Sequence, residues 1–228
     1  MAFIVKREPT QSLSLNGLVL YLDSTNSNSY SGSGTVWNDL SINNFIANLN
    51  GCTFDSNTKS IITNGSSDYI LTNSLISAFT SDTSESIFIL IYPISQGNIV
   101  TELGDVTISA GWHDSNIEID SNGRVKFGTW AYPNGYITSD PIAFNQWYLL
   151  GFTHDQTSQT LKGYINGQLI GSISHNRSDP YNNGQQVVYG LCSPDGTNMG
   201  TNSYCQAKIK SFFVYNRALT QNEINQLS

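Results

Sequence analysis

Charge is what this chain has least of. Only 12% of its 228 residues are charged, about half the usual share of roughly 25%. Ten Lys and Arg face seventeen Asp and Glu, a formal net charge of −7. So few cations exclude nucleic acid as a partner, because duplex affinity rests on Lys and Arg displacing phosphate counterions. They also leave no polybasic patch for an anionic membrane surface. Long apolar runs are missing too: the best, residues 87–94, is strand-length, against the roughly 20 residues a spanning helix needs. Residues 1–9 place Lys6, Arg7 and Glu8 after a very short apolar patch, the reverse order of a secretory leader, so synthesis in the cytoplasm is expected.

Reactive side chains are equally sparse. The cysteines, Cys52, Cys192 and Cys205, are odd in number and form no Cys-x-x-Cys, which excludes a disulfide framework. His113, His154 and His175 lack metal-binding spacing, and His154-Asp155 reads as a solvated turn. There is no Gly-x-Ser-x-Gly, and Ser31-Gly32-Ser33-Gly34 lacks the Lys and following helix of a phosphate loop.

What the chain does have is turn chemistry and aromatic side chains. Hydrophobic residues make up 39% and aromatics 11%, too many for a disordered chain. Asn-Gly pairs begin at Asn16, Asn50, Asn64, Asn122, Asn134, Asn166 and Asn183, and both residue types tolerate the positive φ of hairpin turns. Between them lie short runs rich in Val, Ile, Tyr and Phe: 18–22, 87–92, 106–109, 116–120, 124–127, 147–153, 161–165, 169–174, 187–191 and 209–215. Many short strands so punctuated predict an all-β sandwich or barrel. Asn166-Gly167 and Ser121-Asn122-Gly123 are the expected hairpins. The helix signal is Thr220-Gln221-Asn222-Glu223, a capping box ahead of Ile224 and Leu227. Residues 15–228 read as one domain, with residues 1–14 as an extended arm. In that arm Phe3, Ile4 and Val5, followed by Lys6 and Arg7, read either as a frayed terminus or as a strand that anchors on a partner's sheet edge.

Three segments resemble the laminin-G-like branch of the concanavalin A-like lectin/glucanase superfamily. Gly17-Leu18-Val19-Leu20-Tyr21-Leu22-Asp23 with Trp37-Asn38-Asp39-Leu40-Ser41 looks like its opening strand and loop. Residues 145–153 with Tyr164-Ile165-Asn166-Gly167 match its Trp strand and hairpin. Phe212-Phe213-Val214-Tyr215-Asn216-Arg217-Ala218-Leu219-Thr220 is similar to its closing strand and terminal helix. The resemblance implies a two-sheet antiparallel jelly roll with first and last strands side by side at one edge. Such a fold hosts glycan binders, hydrolases and adhesion modules, so it does not choose among them.

Candidate sites follow from that frame. Glu118-Ile119-Asp120 is similar to the Glu-x-Asp-x-Glu strand of some glycosidases of the superfamily, whose period of two aims carboxylates into one cleft. The third carboxylate is absent here, since Asn122 or Gly123 stands in its place, so exposed carboxylates beside a hairpin are the favoured reading. Trp112, His113, Asp114, Trp130, Tyr132 and Tyr136 are the sugar-binding candidates, because sugar C–H faces stack on aromatic rings. Covering the core is the competing role for the two Trp. Asp68, in a turn similar to the family's Gly-x-x-Asp-Tyr, is the candidate for a calcium ion, but Lys210 and Ser211 occupy the places where the family usually carries acids. The resemblance also implies a bridge between Cys192 and Cys205, with free thiols as the other reading.

The expected function is therefore a non-enzymatic binding or structural module, with no cofactor beyond that calcium. It is a virion decoration, fibre or tail protein on the virion surface, held by its arm to a capsid or tail as a homo-oligomer and presenting aromatic loops to cell-surface glycans. A glycoside hydrolase around Glu118 and Asp120, or a bacterial surface adhesin outside the cell, are the alternatives.

Overall fold

The computed structural model describes residues 13–79, 84–104, 113–129, 135–175, 187–193 and 204–227. Arm residues Phe3, Ile4, Val5, Lys6 and Arg7 lie outside the described residues, as do Trp112, Trp130, Tyr132, the expected strand at 106–109 and the side chains of His113 and Asp114.

The first part of the chain forms β1 (Leu18–Asp23), β2 (Val36–Asn38), β3 (Ile46–Asn50), β4 (Thr53–Asp55), β5 (Ser60–Asn64) and β6 (Tyr69–Thr72). The middle forms β7 (Glu85–Pro93), β8 (Asn98–Gly104), β9 (His113–Ile119), β10 (Arg124–Phe127) and β11 (Ile137–Pro141). The last part forms β12 (Tyr148–Asp155), β13 (Thr160–Ile165), β14 (Gln168–Ser174), β15 (Val188–Leu191), β16 (Gln206–Tyr215) and a helix, α1 (Gln221–Ile224). All strand pairs in both sheets are antiparallel. The first sheet runs β14-β13-β12-β7-β16-β5-β4, with β1 also on β16; the second runs β11-β10-β9-β8-β15-β6-β3-β2.

The all-β sandwich and the short C-terminal helix are as the sequence predicts. The turn chemistry works as expected at Asn166-Gly167, where both residues take positive φ and join Ile165 to Gln168 in a two-residue hairpin. Asn166 also accepts a 2.9 Å hydrogen bond from the Leu149 N–H, tying the turn to the next strand. First and last strands pair side by side as expected: β1 is bonded to β16 alone and forms an edge along its second half, while β16 is bonded to β7 on its other side and to β5 along its first half. Ten residues are long enough to hold two short partners end to end.

Two apolar cores result. The main one lies between the sheets and includes Leu20, Trp37, Ile89, Ile117, Phe127, Leu150, Phe152, Tyr189 and Phe212. The smaller one lies on the outer face of the first sheet, where Leu219, Ile224 and Leu227 of the C-terminal segment cover Phe88, Leu149, Tyr164, Phe213 and Tyr215. This second core explains why 147–153 reads as apolar on both faces. Gly151 is required there: a Cβ would sit 2.1 Å from the Phe88 ring. Leu13 packs against this core and the Ser14 carbonyl accepts a 3.0 Å bond from the Tyr215 hydroxyl, so the fold takes in two residues expected in the arm.

Polar side chains fix the loops. Asp39, 8% exposed, accepts hydrogen bonds from the Tyr21, Ser41 and Phe45 N–H groups, which is the physical role of the aspartate in Trp37-Asn38-Asp39-Leu40-Ser41. At α1 the capping box forms as predicted, with Thr220 and Glu223 bonding each other's N–H. Glu223 also pairs with Arg217, and that bond holds its carboxyl well below the usual range despite partial burial.

A carboxyl depressed in the folded state contributes stability above the ordinary carboxylate range and loses it as pH falls. Asp55, depressed by its Lys208 bond, acts in the same sense. Thermal unfolding is therefore expected to be flat from pH 8 to about 6 and to fall below about pH 5. Glu223→Gln should lower Tm at pH 7 and make the acid-side fall shallower, and Thr220→Ala should cost ~1 kcal/mol in denaturant titration.

Candidate functional site

The outward face of the second sheet carries the main concentration of functional side chains. On β9, Ile117 and Ile119 enter the main core, so Glu118 between them turns to the opposite face. Lys126 of β10 lies directly across from it on one side and Ile99 of β8 on the other. The Lys126 ammonium sits 4.9 Å from the centroid of the Tyr136 ring, which is 42% exposed. Glu118 is fully buried and accepts a 2.6 Å hydrogen bond from the Ser115 hydroxyl. Ser115 in turn pairs across the ladder with Glu102, itself 1% exposed. Glu102 lies over Gly190 of β15, where a Cβ would come within 2.6 Å of its Oε1. One face thus presents two buried carboxylates, a serine, a lysine and an open aromatic ring.

Of the residues expected to act together, only some meet here. Asp120 does not join Glu118. Its Oδ1 accepts from the Asn122 and Arg124 N–H groups at 2.8 and 3.0 Å, because β9 ends at Ile119 and Asp120 begins the turn. Glu118, expected to be exposed, is instead inaccessible. His113 and Asp114 occupy the first positions of the same strand, opposite Gly104 and Leu103. Glu102 is the residue that sequence reading missed. Bulges break the alternation of β8 against β9, so residues 98–104 show no clean period, although an acid inside an Ile-Val-Thr-Glu-Leu run was a signal.

Asp68, the calcium candidate, stabilises its own turn. It is 7% exposed, its Oδ2 accepts the Asn64 N–H at 3.1 Å, its Oδ1 accepts the Ser67 hydroxyl at 3.3 Å, and it packs on Gly51. The described residues contain no group of three or more His, Cys, Asp or Glu placed to hold a metal.

His154 is a further correction. It is not in a solvated turn but fully buried in β12, opposite Glu85, with Nε2 3.1 Å from the His175 carbonyl. Thr129 reaches the His175 ring at 2.6 Å, and the Tyr189 hydroxyl donates to Glu85 across the two sheets at 2.8 Å. This cluster ties the layers together at one end of the sandwich.

The cysteines, far apart in sequence, gather at another point. Cys192 and Cys205 are buried free thiols in hydrogen-bond contact, and Cys52 lies near Cys192. Burial pushes the Cys52 thiol up to about 12, and the bond to Cys192 together with burial raises Cys205 well above its ordinary value. Protonated thiols are poor nucleophiles. The native protein should therefore react negligibly with a disulfide reagent at pH 8, while denaturant exposes all three thiols; rapid labelling of the folded chain would contradict this geometry.

The family model described as the concanavalin A-like lectin/glucanases superfamily, of laminin-G type, matches residues 64–225. The chain belongs to that superfamily. No curated protein sequence matches it. Among solved structures, it is similar to Trypanosoma rangeli sialidase in complex with sialic acid, at 14% identity and TM-score 0.63, over 92% of this chain and 32% of that one. It is similar also to botulinum neurotoxin type C, whose cell entry depends upon interaction with two ganglioside molecules, at 17% identity and TM-score 0.65, over 92% of this chain and 50% of that one. A third, the binding domain of botulinum neurotoxin serotype D/C, is 18% identical with TM-score 0.65, over 94% and 52%. The chain spans about a third of the sialidase and half of the toxin chains, and the likeness is one of fold.

Proposed function

We propose that this chain is a non-catalytic glycan-binding module, carried on a larger assembly such as a virion by its arm. The observation that carries the glycan reading is the open Tyr136 ring, held by Lys126 beside buried carboxylates on one sheet face. A ring takes the C–H face of a sugar while nearby polar groups bond its hydroxyls. The sialic-acid complex of one structural neighbour and the ganglioside interaction of another support the same reading. Leu13 packs against the outer core and Ser14 bonds Tyr215 of β16, so the anchoring role proposed for the arm falls to residues 1–12.

One observation favours hydrolysis as a second reading: Glu102 and Glu118 share a face on adjacent strands, their ladder pairs two positions apart. Their burial argues against it, since a retaining hydrolase needs two carboxyls about 5–5.5 Å apart flanking an accessible bond.

The two readings part on mutation. Tyr136→Ala should weaken binding of the best glycan on an array by at least ~10-fold, while wild type and Glu118→Gln both release no sugar. Sugar release that Glu118→Gln abolishes would establish the hydrolase instead. Deleting residues 1–12 should leave glycan binding intact and remove attachment to particles.

A further inference from the structure

The outer face of the first sheet holds a second aromatic surface, at the end that α1 leaves uncovered. We infer that Trp147, Tyr92, Lys208 and Lys210 form a binding site for acidic saccharides, those carrying a carboxylate or a sulfate. The inference rests on the glycan-binding reading but on a different face from Tyr136.

The site is built by a break in the strand. On β16, Ala207 and Ile209 point into the main core, and so do Phe212 and Val214. That change of parity takes place at a bulge between Ile209 and Ser211, opposite Ile91 and Leu90 of β7. The Lys210 carbonyl there accepts bonds from the Ser24 N–H at 2.8 Å and the Ser24 hydroxyl at 3.1 Å, which fixes the bulge. Two lysines, Lys208 before the bulge and Lys210 within it, thereby reach one outward surface.

That surface already contains two rings. Tyr92 lies across from Lys208, and Trp147 immediately precedes Tyr148, the partner of Ile91. The Tyr92 and Trp147 rings meet edge to face with centroids 5.5 Å apart, and both are partly exposed. The Lys210 ammonium stands 4.4 Å from the Trp147 centroid and that of Lys208 5.8 Å from the Tyr92 centroid.

Charge selects the ligand. Lys208 bonds Asp55 at 2.9 Å, whereas Lys210 has no carboxylate partner among the described residues. Its ammonium is held by a ring, which leaves its charge uncompensated in a chain of net −7. A neutral sugar would gain only the rings. A sugar that also carries an anion replaces the ring as the partner of Lys210 and frees the Trp147 face for its own C–H groups.

Titration calorimetry of the full chain with matched pairs tests this: 3′-sialyllactose against lactose, a uronic-acid disaccharide against its neutral counterpart, and a sulfated galactose against galactose. The carboxylate and sulfate arms distinguish the two anions. The acidic member of at least one pair should bind at least ~10-fold more tightly at about 50 mM NaCl, and the advantage should shrink at about 0.5 M. Lys210→Gln should erase the advantage, bringing the acidic member down to the affinity of its neutral counterpart, with near-UV circular dichroism showing an intact fold. Trp147→Ala should weaken both members. If Tyr136→Ala abolishes all binding while Lys210→Gln and Trp147→Ala change nothing, this site is wrong and the Tyr136 site stands. If no saccharide binds the wild type, both fall.

Discussion

The bulge at Lys210 decides which side of the first sheet each half of β16 faces. Ahead of it, Ala207 and Ile209 point inward; beyond it, Phe212 and Val214 do, while Phe213 and Tyr215 turn to the outer core. A strand of unbroken period two would send Phe212 and Val214 outward and Phe213 and Tyr215 between the sheets. Burying one such side chain contributes about 1.5–3 kcal/mol, so several misplaced together would exceed the net stability of an ordinary domain, about 5–15 kcal/mol. The same extra residue lets β16 pair with β5 along its first half and with β1 along its second.

From that strand the division between the faces follows. The space between the sheets is filled by the main core and, at one end, by the Glu85–Tyr189 bond. One end of the first sheet's outer face is sealed by α1, the Arg217–Glu223 pair and Leu13. The two proposed binding regions have opposite characters. Around Tyr136 a ring lies near buried carboxylates, while around Trp147 the rings are capped by ammonium groups. In an acidic chain the second arrangement attracts anions against the overall field, and does so locally because solvent screens charges beyond about 10 Å at ordinary salt.

Much of the architecture was legible because apolar runs and turn residues report it directly. Residues 147–153, 161–165 and 169–174 and the hairpin at Asn166 lie where the pattern puts them. Strands β2 to β6 were not read, since Asn, Ser and Thr fill positions that short strands leave exposed or hydrogen-bonded, as in Ile46-Ala47-Asn48-Leu49-Asn50. The spacing of three between Ile209 and Phe212 was a visible sign of the bulge, though only the pairing with β7 shows what it does. Site residues were harder to find. Lys210 was noticed as an acid that was missing rather than as a cation in a particular place. Glu102 was hidden by irregular pairing, and Asp120 shares the parity of Glu118 but lies one residue past the end of its strand. Such distinctions depend on where a ladder stops, which composition does not record.

Deleting Lys210 alone, compared with Lys210→Ala, tests the role of the bulge most directly. If the extra residue sets the facing of β16, the deletion forces one half of the strand to reverse, and equilibrium urea unfolding should show the cooperative transition lost or shifted by several kcal/mol, while Lys210→Ala unfolds almost as wild type. A deletion variant with an unchanged midpoint and slope would contradict the account.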